Sequence, residues 1–246
     1  MKEFFDKVRA SFGPLTASQV QGLNALFNAT QGMPLRHRAY ILATAWHETG
    51  PTGSALHMTP RREIWGPTDA QKRYEGRKDL GNTQPGDGKK FLGRGYVQIT
   101  GRANYAKASK LLSEDLLSNP DLALSPINAA TIIVHGMTNG WFTGHKLADF
   151  TDYKSMRRIV NGTDRADLIA SYARVFEEAL KEVPTQPAKP ADPPHIVIPP
   201  APDESRVVDN APPPMATTAG KGIAGAVLAA IAAIIAAVMY YVNKGG

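Results

Sequence analysis

A chain of 246 residues with 43% hydrophobic side chains can bury a substantial core, and with no cysteine it has neither disulfides nor thiolate metal sites. Its formal net charge is +6, and all of the excess sits on residues 1–183: from Pro184 onward Lys189, Arg206, Lys221 and Lys244 cancel Asp192, Asp203, Glu204 and Asp209. A basic folded domain suits an anionic polymer such as nucleic acid, an acidic membrane surface or bacterial cell wall, and the chain shows no recognisable nucleic-acid module.

The opening stretch "MKEFFDKVRASFGPLTASQ" is not read as a secretory signal, because charges run through its first turns and no apolar run of ~7–15 residues follows. "TASQVQGLNALFNAT" predicts a helix with a Thr16/Ser18 cap region and Val20, Leu23, Leu26 and Phe27 on one face. "LRHRAYILATAWHE" has similar spacing and ends on Glu48, where "TGPTG" stops it. Between Glu48 and Tyr105 the periodicity fails, and "GNTQPGDGKKFLGRG" predicts loop or short hairpin, read as the wall of a cleft. In "FLGRGYVQITGRANY" the residues Tyr96, Gln98 and Thr100 alternate along an expected extended run and would share a face, with Asn104 at the start of a helix. "SPINAATIIVHGM" predicts a buried helix with Pro126 in its first turn, and "DLIASYARVFEEALKEV" an amphipathic helix that closes the domain.

Residues 184–214 hold eleven of the nineteen prolines and predict an extended, semi-rigid spacer. Residues 222–242, "GIAGAVLAAIAAIIAAVMYYV", carry no charge. As a helix at ~1.5 Å per residue they would span roughly 31 Å, which suits a single transmembrane helix, with Lys221 and Lys244 outside it and Tyr240 and Tyr241 at an interface. Its small residues would permit self-association. The expected organisation is thus a domain over 1–183, a linker over 184–214 and a membrane segment with a short tail over 215–246.

Taken alone, Glu48 reads as a solvated helix end. The sharper reading is a general acid, since an apolar helix beside aromatic surface keeps a carboxyl protonated. Zinc is not expected: the metalloprotease helix needs a second histidine where Pro51 stands, and the histidines at 37, 47, 57, 135, 145 and 195 lack ligand spacing. Trp141, Phe142 and His47 read as packing residues. "GRG" is not a dinucleotide fingerprint, because the third glycine and the preceding strand are missing.

"AWHETG", followed some fifty residues on by "GRGYVQITGRANY", resembles the catalytic domain of glycoside hydrolase family 19, the chitinases and their phage endolysin relatives. "LGNTQPGDGKKFLGRG" and "NGWFTGHKL" are similar to the endolysin branch, and the resemblance covers roughly residues 35–180. It implies a mainly α, lysozyme-like α+β fold with a small irregular β/loop cleft wall. It also implies an inverting mechanism with Glu48 as acid, and sugar contacts from Gln98, Thr100 and Asn104, with Asn161 in "IVNGTD" a further match. Tyr96 joins them on the expected shared face. Glu63 in "HMTPRREIWG" is the candidate base, with Asp69, Glu75 and Asp87 as alternatives, and an inverting pair stands ~6.5–9.5 Å apart. The family's late arginine has no clean counterpart in Arg165 or Arg174.

The resemblance and the anchor together imply a peptidoglycan hydrolase of phage lysis, on the host inner membrane with its domain facing the periplasmic wall, and no metal or organic cofactor. A chitinase, a lytic transglycosylase and a non-catalytic wall-binding anchor are the rival readings.

Overall fold

The structure, a computed structural model, describes residues 1–50 and 54–181. The linker and the segment 222–242 lie outside the described residues, and among the described residues no helix is long and apolar enough to cross a membrane.

Three helices open the chain: α1 (Lys2–Phe12), α2 (Ala17–Ala29) and α3 (Leu35–Thr49). The expected cap of α2 is a reciprocal one. Gln19 N donates to Thr16 Oγ1 at 3.3 Å while Thr16 N donates to Gln19 Oε1 at 2.8 Å, which satisfies two otherwise orphan donors. No side chain caps α3 at Pro34, and its stability comes from burial instead: every residue from Arg38 to Trp46 is buried, as expected of a helix that runs through a core. Inside that core the Thr44 and Thr49 hydroxyls donate back to the carbonyls of Tyr40 and Ala45, at 2.8 and 2.6 Å.

The later helices cover α3. α7 (Pro126–Asn139) has Pro126 in its first turn and ends at Gly140, and α8 (Ala166–Lys181) buries Ile169, Ala173, Phe176 and Leu180. α8 packs along α3 and also receives α1, while α2 packs on α7. Phe4, Leu23, Leu26, Ile41, Ile133 and Phe176 belong to this main core.

A smaller cluster, including Phe91, Ile99, Tyr105, Leu116 and Ile132, lies under α6 (Arg102–Leu112). It supports the predicted cleft wall, a two-stranded antiparallel sheet in which β1 (Arg61–Arg62) places Arg61 opposite Gly95 and Arg62 opposite Arg94 of β2 (Arg94–Gly95). The one-turn helices α4 (Asp69–Lys72) and α5 (Asp87–Lys90) lie between the strands in sequence. The fold is therefore mainly helical with a small sheet, as expected.

The expected extended run through Tyr96, Gln98 and Thr100 is corrected. Arg94 and Ile99 exchange backbone hydrogen bonds of 3.3 and 3.0 Å across a tight hairpin, and Gly95 and Gln98 have φ of 88° and 52°. Left-handed backbone at both positions breaks the two-residue alternation, so the three side chains do not share a face.

Candidate active site

Glu48 stands on the last turn of α3, next to the fully buried Thr49. Its side chain is 24% exposed, and Oε1 accepts from Arg157 Nη1 at 2.5 Å. Arg157 comes from the 3-10 turn Ser155–Ile159, and only 3% of its side chain is exposed. The same guanidinium donates through Nε to the Asp164 carbonyl at 3.0 Å and through Nη2 to Asp164 Oδ1 at 3.3 Å. One buried fork therefore ties Glu48 to the loop ahead of α8, the kind of planar, charge-assisted recognition that arginine favours. No described residue hydrogen-bonds Glu48 Oε2, which leaves that atom for another partner.

Glu48 lines an open cleft of about 580 Å³ with His47, Gly50, Arg61, Asp164 and Arg165. Arg61 Nη1 donates to the Thr49 carbonyl at 2.7 Å, so it ties the sheet to the end of α3. Burial pushes the His47 imidazole below its ordinary value, against the pull of the Glu48 and Asp164 carboxylates. An uncharged His47 adds no positive charge to the rim at neutral pH.

Glu63 does not line this cleft. Its Oε1 accepts from Gln71 Nε2 at 3.0 Å and Tyr74 Oη at 3.3 Å, and Oε2 from Gly93 N at 3.1 Å. The carboxylate braces α4 against Gly93, the residue next to β2. None of the three alternative bases lines the cleft either. Asp69 is exposed and paired with Lys72 at 3.0 Å. Glu75 accepts from Gly86 N at 2.7 Å and Gly88 N at 2.9 Å. Asp87 is buried in a two-toothed pair with Arg102, at 2.5 and 2.8 Å.

Gln98 reaches the sheet: its Nε2 donates to the carbonyls of Arg61 at 2.8 Å and Gly95 at 3.0 Å. Thr100 Oγ1 donates to the Gln98 carbonyl at 3.0 Å, and Asn104 Nδ2 to the Thr100 carbonyl at 2.8 Å. These three side chains therefore form one chain of hydrogen bonds along the hairpin and the start of α6. Tyr96 is a correction. It is 1% exposed and packs in the main core, where its hydroxyl reaches the Gly22 carbonyl at 3.5 Å, so it presents no surface to a ligand. Asn161 is exposed and its Oδ1 accepts from Gly162 N at 2.8 Å, in the loop that leads to Asp164.

Two residues of the site were missed in the sequence. Arg157 sits 109 positions from its carboxylate partner, and its position between the buried Met156 and Ile159 is the one local sign that it is not a surface arginine. Asp164 has no sign except its place beside Arg165 in the loop before α8.

The sequence over residues 35–149 matches the family model described as chitinase class I, glycoside hydrolase family 19. A protein of Haemophilus influenzae, described as glycosyl hydrolase family 19 domain-containing, is 32% identical over 99 residues, which cover 38% of this chain and 44% of that protein. Chitinase 3 of Oryza sativa subsp. japonica is 53% identical over 38 residues, covering 15% of this chain and 12% of that protein. The chain thus spans less than half the length of either curated relative. Among solved structures, a bacterial family 19 chitinase superimposes with a TM-score of 0.50 at 20% identity, over 76% of this chain and 96% of its own, which is a likeness of fold. Glu48, Gln98, Thr100 and Asn104 lie inside the matched region, while Arg157 and Asp164 lie after it. Residues 35–149 thus match the glycoside hydrolase family 19 model, and the described residues share the fold of a family 19 chitinase.

Proposed function

We propose that this chain hydrolyses β-1,4 glycosidic bonds of bacterial peptidoglycan, with Glu48 as general acid. The observation that carries the reading is the mounting of Glu48: a largely buried carboxyl on the end of a buried helix, held through one oxygen by a buried arginine, in an open cleft. With Oε1 engaged, Oε2 carries the proton that passes to the leaving glycosidic oxygen. Glu63 takes a proton from the attacking water, and Gln98, Thr100, Asn104 and Asn161 hold sugar units. Asp164 is the second carboxylate inside the cleft, and this position favours it as the alternative base. Arg61 and Arg165 on the rim suit the carboxylates of a peptidoglycan strand better than neutral chitin. The proline-rich linker and the apolar segment 222–242 would hold such an enzyme near the wall as a membrane-tethered agent of phage lysis.

The test is digestion of purified peptidoglycan by the full chain, with products read by mass spectrometry. Hydrolysis adds one water per bond broken. An anhydro-sugar end would replace this mechanism with a lytic transglycosylase, and turnover of chitin oligosaccharides alone would move the substrate to chitin. Glu48→Gln should lose about 10²–10⁴-fold, the usual scale for an acid–base group. Comparable losses in Glu63→Gln, with Asp164→Asn near wild type, would assign the base to Glu63, and the reverse pattern to Asp164. Wild-type rates in Glu48→Gln would remove the site.

A further inference from the structure

A second cavity, of about 390 Å³, opens on the other side of the last turns of α3. Trp46 lines it, and Trp46 and Glu48 are two residues apart, about 200° around the helix. Phe12, Tyr172 and His57 complete an aromatic enclosure, and Ser11 and Thr16 stand among its polar lining. The rings hold one another in place. Phe12 stacks on Trp46 at 4.3 Å, and His57 lies parallel to Trp46 at 4.4 Å with 5° between the planes. Among the described residues that line the cavity there is no Asp, Glu, Lys or Arg.

His57 is the unexplained group. It is 2% exposed, and its Nδ1 lies 2.5 Å from the Trp46 carbonyl oxygen, which accepts and never donates. Nδ1 therefore carries the proton, and in a neutral ring Nε2 is left as a bare acceptor. That atom is buried and has no hydrogen-bond partner. A buried acceptor without a donor is destabilising, and most such groups in folded proteins are met by something. The chemistry assigned to Glu48 makes no use of it.

We propose that this cavity is a second sugar-binding site. It takes one neutral amino-sugar unit whose C–H face lies against the Phe12, His57 and Tyr172 rings, and a shift of the cavity wall on binding brings a sugar hydroxyl to the covered His57 Nε2. The lack of charge argues against an anionic or cationic ligand, and aromatic walls beside a buried acceptor are the complement of a sugar ring. The Tyr172 ring also meets His47 of the Glu48 cleft at 6.5 Å, so the two cavities lie back to back. A site here would hold one strand of the polymer while the cleft works on another. The choice of ligand rests on the glycan-hydrolase reading.

The experiment uses full-length Glu48→Gln protein, ¹⁵N-labelled on histidine, titrated with N,N′,N″-triacetylchitotriose while the His57 ring nitrogens are followed by NMR. The expected result is a saturable shift of the Nε2 resonance on adding the trimer. It should be lost in a second variant carrying Ser11→Trp, an exposed position on the cavity rim where the indole would fill the space without disturbing the core. An Nε2 resonance unmoved by millimolar trimer in folded protein would overturn the proposal, and so would a shift that survives Ser11→Trp. Wild-type turnover of peptidoglycan is measured alongside. Turnover with a silent His57 fails this inference alone, and a responsive His57 without turnover fails only the catalytic reading.

Discussion

Replacing Arg157 with alanine tests whether the guanidinium is what fixes Glu48. The substitution removes a charge-assisted hydrogen bond of 2.5 Å to a carboxylate 24% exposed, a contact of about 1.5–3 kcal/mol. It also removes the 3.0 Å bond to the Asp164 carbonyl, which adds about 0.5–1.5 kcal/mol. The Asp164 carboxylate, 63% exposed and 3.3 Å away, adds little, because exposed pairs are worth about 0–1 kcal/mol and often nothing. The expected loss is about 2–4 kcal/mol, a large part of the ~5–15 kcal/mol that holds a domain together. At ~2–4 °C per kcal/mol for a domain of this size, the melting temperature should fall by about 5–15 °C. Arg157→Lys should recover only part of this, since an ammonium cannot span Glu48 and Asp164 as a fork does. Activity should fall on the order of 10²-fold, the cost of misplacing a reacting group by about 1 Å. A double-mutant cycle of Arg157→Ala with Glu48→Ala, read by denaturant unfolding, isolates the pair, and its coupling should exceed about 1 kcal/mol. Additive effects within about 0.3 kcal/mol would show that the two residues do not act together and would refute the reasoning.

Asp87 governs part of the acid sensitivity. The Arg102 guanidinium beside it holds its carboxyl below the usual 3.8, with help from the backbone amides of Gln84 and Thr83. A depressed carboxyl contributes stability that is fully present above 3.8 and is lost as pH falls through its lower folded value. Melting temperatures measured from pH 6 to pH 2 should therefore drop more steeply in wild type than in Asp87→Asn, and parallel curves would contradict this. Gly22→Ala reverses a familiar sign. Alanine usually stabilises a helix by about 0.5–1 kcal/mol over glycine, but here its Cβ would stand 1.9 Å from the Met58 carbonyl oxygen. Overpacking at or beyond the upper end of about 1–3 kcal/mol should lower the urea midpoint, and an unchanged or raised midpoint would sink the argument.

The helices α2, α3, α7 and α8 were legible because their signals are local, whereas α1 was not read from the sequence. The Thr16 cap, Pro126 in its first turn and the apolar stripe of α8 each act within a few residues, and the structure uses each as expected, with Gln19 rather than Ser18 completing the cap. Glu48 was legible for the same reason: an apolar helix that ends on a carboxylate is visible in ten letters. Its partner was not, because an ion pair across 109 positions leaves no periodic trace. The error at Tyr96 is also physical. Alternation assumes an extended backbone, and the positive φ of Gly95 and Gln98 turned the chain so that Tyr96 faces the core. The rival bases Glu75 and Asp87 looked available in a loop rich in glycine, yet each is occupied by backbone amides or by Arg102.

The proposed acid and the chain that faces it across the cleft belong to regions of very different resilience. Glu48 rides on α3, the most enclosed helix of the main core, so its position is set by the same interactions that keep the domain folded. Arg61 rides on a strand of two residues that runs on into a mostly exposed stretch over 64–70, where Ile64 is 80% exposed. Local opening is cheapest where burial is least. The cleft is thus a vice with one fixed jaw and one that yields: a ligand too thick for the resting gap would be admitted by movement of β1 and the stretch after it, while Glu48 stays where the core puts it. Hydrogen exchange should run in that order, fastest in the amides that follow β1 and slowest along the middle of α3.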